Sequence, residues 1–90
     1  MSITRQNLSV IIVSFKSDHI SHRCISSIDK EIEIIVIENS NNTKLKKNIE
    51  EQYENVKCIL SSTNIGMGAG NNLGLKNMNK DFALILNPDD

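Results

Sequence analysis

The 90-residue sequence has no surplus of charge, no cysteine cluster and no long apolar run. Ten Lys and Arg stand against eleven Asp and Glu. The chain therefore projects no large field of either sign, which removes the electrostatic basis for binding DNA, RNA or an anionic membrane. Cys24 and Cys58 sit far apart in apolar periodic segments, outside any Cys-x-x-Cys or Cys/His spacing, and read as reduced core thiols. The opening MSITRQNLS has no apolar leader core, and no segment approaches the roughly 20 apolar residues that span a bilayer. The expectation is a cytoplasmic protein that meets the inner face of the membrane only through partners. No repeat, low-complexity block or linker divides it, so residues 1–90 read as one small domain. A chain of this size buries about 60 to 65% of its unfolded surface, which makes for a thin core.

What the sequence does contain is a regular exchange of two patterns. LSVIIVSF, residues 8–15, holds an unbroken β-branched run from Val10 to Val13, as a strand buried on both faces requires. KSDHISHRCISSID follows, with Ser17 or Asp18 as a helix cap and Ile20, Cys24, Ile25 and Ile28 at helical spacing. A second buried strand is centred on Ile34 to Ile37. The next helix takes Thr43 as its cap and Leu45, Ile49 and Tyr53 as its apolar stripe, with Lys46 and Glu50 as an i,i+4 pair. NVKCIL reads as a third strand, the stretch carrying Ala69, Leu73 and Met78 as a third helix, and DFALIL as a fourth strand. The order β-α-β-α-β-α-β predicts an α/β, Rossmann-like parallel sheet, because each right-handed crossover needs a helix to return the chain.

In open sheets of this kind, ligands bind beyond the carboxyl ends of the strands where the strand order reverses. Those exits are SFKS, ENSNN, SSTNIGMGAGNN and NPDD. With a spatial order of 3-2-1-4, Ser14, Glu38 and Asp89 would border one crevice. The glycine-rich stretch NIGMGAGNNLGLK, residues 64–76, follows the third strand and lacks GxxxxGK[ST]. It is therefore neither a dinucleotide fingerprint nor a P-loop. Two readings of it stand together. Bare backbone at a helix start favours an acceptor-rich or anionic ligand, and Gly66, Gly68 and Gly70 equally allow a turn and close helix packing.

The blocks VIIVSF, IIVIENSNN, NIGMGAGNNLGL and LILNPDD, in this order and spacing, resemble family-2 glycosyltransferases of the GT-A fold, most closely the rhamnosyltransferase-like branch. The resemblance spans essentially the whole chain and implies a truncated GT-A fold: the nucleotide-binding half of an enzyme that transfers a sugar from a nucleotide-diphosphate sugar. A UDP- or dTDP-sugar is the implied donor, a glycan or a lipid-linked molecule the acceptor, and cell-surface polysaccharide assembly the setting. On this resemblance Ser14 and Phe15 lie against base and ribose, and Glu38 hydrogen-bonds the base. Asn64, Gly66, Gly70 and Asn71 line the nucleotide. Asn87-Pro88-Asp89 stands for the DxD-type motif, with Asp89 holding Mg2+ or Mn2+ on the diphosphate. Glu38 occupies the place of the family's usual aspartate, and Asn87 that of the first carboxylate of a stricter DxD. From Ile59 to Leu75 there is no Lys or Arg to meet a diphosphate, so a hard dication would supply the positive charge. The acceptor half and the general base are expected to lie outside residues 1–90.

Other readings accompany these. Asp89 and Asp90 also suit solvated charges, and Glu38 a turn residue. Phe15 suits core packing as well as base stacking. His19 and His22 share a helix side without a third ligand, and read as a solvated helix start. Two functional rivals remain: a non-catalytic nucleotide-binding or assembly remnant, and a receiver-like regulatory module binding Mg2+ at strand-end carboxylates. A sheet ending at the fourth strand predicts apolar surface and an unpaired edge near Phe82 to Leu86, hence self-association or a partner completing the domain.

Overall fold

A computed structural model describes residues 3–14, 23–39, 43–61 and 66–86 of the chain. Four strands, β1 (Leu8–Ser14), β2 (Glu33–Glu38), β3 (Val56–Leu60) and β4 (Phe82–Leu86), pair in parallel in the order β3-β2-β1-β4. This is the expected order, with β1 between β2 and β4. The α/β class and the parallel sheet follow the sequence reading and are consistent with a truncated GT-A fold.

The strands form where β-branched residues run together, and their alternation splits the core in two. Val10, Ile12, Ile34, Val36, Val56 and Cys58 point to one face, where Ile25, Leu45 and Ile49 cover them. Ile11, Val13, Ile35 and Ile37 point to the other, beneath Leu73 and Met78. Each isoleucine withdrawn fully from water contributes about 1.5 to 3 kcal/mol, and the two central strands supply most of these.

Helix α1 (Thr43–Gln52) buries Leu45 and Ile49 and lies against β3. Thr43, expected as the cap, is instead its first helical residue. Tyr53 follows the helix and still packs on the core. Of the helix expected between β1 and β2, residues 23–26 are helical and Ile25 is buried. Its proposed caps Ser17 and Asp18, together with Ile20, His19 and His22, lie outside the described residues.

Helix α2 (Gly66–Asn77) crosses β1 and β2, and here one expectation is corrected. Ala69 is exposed; the inward line runs through Gly70 and Gly74. A Cβ on Gly70 would stand 2.9 Å from Val13 Cγ1, and one on Gly74 would stand 2.6 Å from Ile11 Cγ2. The helix backbone thus rests on the β-branched side chains of β1, an approach that only residues without a side chain permit. Gly68 meets nothing within 4 Å.

The two sheet edges differ. Cys58 on β3 turns its N–H and C=O away from β2 toward α1, where Glu50 and Lys46 bind them. Among the described residues β4 pairs only with β1, and Leu84 and Ile85, on its opposite faces, are 51% and 46% exposed. Apolar surface therefore lies where the sequence pattern placed it.

Candidate functional site

Parallel pairing sends every strand out at the same end of the sheet. Ser14 and Glu38 are paired residues at the last rung of β1 and β2, and Glu38 pairs with Leu60 on its other side. One step on, the Ser61 N–H donates to the Glu38 carbonyl at 3.0 Å. Glu38, Asn39 and Ser61 form a buried polar rim above the apolar core, Glu38 with no exposure at all. A carboxylate withdrawn from water in this way costs free energy unless it is paired or hydrogen-bonded.

Glu38, the last residue of β2, continues the alternation of Ile34 and Val36 on the face that carries Cys58, and Asn39 follows it in a turn. The nearby Glu38 charge contributes to the state of Cys58, whose thiol is pushed up to about 12, chiefly by burial. Asn39 Oδ1 and Asn71 Oδ1 are buried without a hydrogen-bond partner. An amide oxygen in that condition is an acceptor awaiting a donor.

Several sequence-predicted residues converge here. The backbone of Ser14, the whole of Glu38, and Gly66, Gly70 and Asn71 on α2 belong to the carboxyl end of the sheet. The missing side chain of Gly70 is accounted for by Val13. Phe15, Asn64, Asn87 and Asp89 lie outside the described residues. Among the described residues no three His, Cys, Asp or Glu side chains gather where they could hold a metal ion. Sequence reasoning passed over Asn39 and Ser61.

Two surface concavities occupy the opposite end of the molecule. Both are lined by Glu54 and Asn55, one with Lys30 and Tyr53, the other with Glu33 and Lys80. They sit at the amino ends of the strands, where charged residues flank the sheet, away from the buried rim of Glu38 and Asn39.

The profile of glycosyl transferase family 2 matches residues 9–90. The chain belongs to glycosyltransferase family 2. A similar protein is the "Low-salt glycan biosynthesis hexosyltransferase Agl10" of Haloferax volcanii, 32% identical in an 87-residue alignment that covers 92% of this chain. The chain spans 28% of that relative's length. Membership of the glycosyltransferases displaces the receiver-like reading. No helix among the described residues is long and apolar enough to cross a membrane.

Proposed function

We propose that this chain is the donor-binding portion of a glycosyltransferase that moves a hexose from a nucleotide-diphosphate sugar, UDP- or dTDP-linked, to an acceptor in cell-surface glycan assembly. The observation that carries the reading is Glu38: a fully buried carboxylate at the carboxyl end of β2, paired with the last residue of β1, in a chain of this family.

Each group has a definite task. The Glu38 carboxylate accepts the imide N–H of a uracil or thymine ring, a charge-assisted bond strengthened by its dry surroundings. Ser14 and Phe15 flank base and ribose, and the start of α2, from Gly66, turns free backbone N–H groups toward the nucleotide. Asn64, Gly70 and Asn71 complete that wall. The diphosphate finds no Lys or Arg between Ile59 and Leu75. Asp89, beside Asn87, would hold Mg2+ or Mn2+, with phosphate and water oxygens as the other ligands, and the ion would supply positive charge to the departing diphosphate. A glycan or lipid-linked acceptor and the general base that activates it are drawn from residues beyond this portion.

Calorimetric titration with UDP and dTDP, with and without Mn2+, on the wild type and Asp89→Ala tests the donor site. Metal-dependent binding lost in the variant is expected. Absence of nucleotide binding under every condition refutes it. Release of sugar from the donor, measured alongside, separates transfer from binding alone.

A further inference from the structure

Asn39 is 4% exposed, yet its Oδ1 has no hydrogen-bond partner. Folding tolerates such an atom poorly, because a buried acceptor has given up water without a replacement. Asn71 Oδ1 is in the same condition. Both belong to the carboxyl end of the sheet. Ile35 and Ile37 on β2 face α2, and Asn39 is the first residue past β2, in the turn at its carboxyl end. Asn71 follows Gly70, whose bare Cα rests on Val13 at the carboxyl end of β1. Two buried, unsatisfied carbonyl oxygens thus belong to the end of the sheet where the donor is proposed to bind.

Their chemistry selects a part of the ligand. An amide oxygen only accepts hydrogen bonds, and so do the ionised oxygens of a diphosphate, so the two repel one another. A nucleoside offers the complement: ribose hydroxyls and base N–H groups, all donors.

We propose that Asn39 Oδ1 is a specificity-determining acceptor for the nucleoside moiety of the sugar donor, taking a hydrogen bond from a ribose hydroxyl or a base N–H, with Asn71 Oδ1 as a second acceptor at the same end of the sheet. The proposal rests on the donor-site reading above. It assigns to Asn39 a cost in the empty protein that ligand binding relieves, so its removal weakens binding without weakening the fold.

The test uses the 90-residue chain with Mn2+, titrated with UDP and, separately, with inorganic pyrophosphate, in wild type, Asn39→Leu and Asn39→Ala. Melting temperatures are taken without ligand. Asn39→Leu is expected to melt at or above the wild-type temperature and to bind UDP about 5- to 10-fold more weakly, the usual worth of one neutral hydrogen bond, with pyrophosphate affinity unchanged. Asn39→Ala supplies the same comparison where leucine does not fit the space. With 2′,3′-dideoxy-UDP the penalty vanishes if a ribose hydroxyl is the donor and persists if a base N–H is. Unchanged UDP affinity in both variants overturns the proposal, as does an equal loss for UDP and pyrophosphate, or unfolding of both variants. A wild type that binds neither ligand removes the donor site itself, a result distinguishable from selective failure at Asn39.

Discussion

Glu50 and Cys58 are joined across the boundary between a helix and an edge strand: the Cys58 N–H donates to Glu50 Oε2 at 2.9 Å. Lys46 completes the arrangement, donating to the same oxygen at 3.1 Å and to the Cys58 carbonyl at 2.6 Å. An edge strand ordinarily presents these groups to any passing strand. Here α1 has bound them, so the β3 edge is blocked at Cys58, while among the described residues β4 keeps an unpaired edge.

Replacing Glu50 by alanine strands the Cys58 N–H and frees Lys46. The expected loss is about 1 to 2 kcal/mol, read as a fall of roughly 5 to 10 °C in melting temperature for a domain of this size. Acid pH should mimic it in part. Burial acts to raise the Glu50 carboxyl, but the Cys58 amide and then Lys46 outweigh it and hold the group below its ordinary 4.5. A depressed carboxylate contributes its full stability above the unfolded value and loses it as pH falls through the folded one. Urea unfolding at stepped pH should show a loss below about 4.5 that shrinks in Glu50→Ala.

The glycines of α2 should respond in opposite directions. Gly74→Ala forces a Cβ to within 2.6 Å of Ile11 Cγ2, and overpacking of that kind costs about 1 to 3 kcal/mol. Gly68→Ala meets open space and should stabilise the helix by about 0.5 to 1 kcal/mol. Thermal melts of the two variants check the sign of each.

Cys58 is 1% exposed and Cys24 is half-buried. Iodoacetamide at neutral pH should label Cys24 well before Cys58, with mass spectrometry of peptides as the readout. Burial raises the Cys58 thiol from 9.0 to about 12, so the folded state keeps a proton that the unfolded state releases. Stability from this group is complete below pH 9 and declines between 9 and 12. Cys58→Ala should flatten that alkaline limb while lowering stability throughout by opening a cavity.

The uncovered Leu84 and Ile85, together with the open β4 edge, are expected to drive association of the isolated chain. Sedimentation velocity should show concentration-dependent species that Ile85→Lys suppresses, since a charge at an edge opposes strand pairing. A strictly monomeric wild type at high concentration contradicts this.

Much of this architecture was readable in the letters. Continuous β-branched runs such as Val10 to Val13 declared strands buried on both faces, and their spacing left no connection but parallel crossovers. The strand order, supposed in the sequence reading as 3-2-1-4, is the one observed, and it makes Ser14 and Glu38 neighbours. Helix faces were less legible where side chains are small. Periodicity marked Ala69 as inward, but contact with β1 is made by Gly70 and Gly74, whose role lies in what they lack. The Lys46 and Glu50 pair was visible as an i,i+4 spacing, yet its bonds to Cys58 depend on how α1 lies on β3. Asn39 escaped notice because an orphaned acceptor is a property of the folded surroundings, not of residue type.

The account turns on a donor pocket at the carboxyl end of the sheet, and amide chemical-shift mapping of 15N-labelled protein with UDP and Mg2+ tests that location most directly. The expected result is saturable shifts concentrated at Ser14, Glu38, Asn39, Gly70 and Asn71, dependent on Mg2+ and lost in Asp89→Ala. Shifts gathered instead around Glu33, Glu54, Asn55 and Lys80 at the amino ends of the strands, or no shifts at saturating nucleotide, would contradict it.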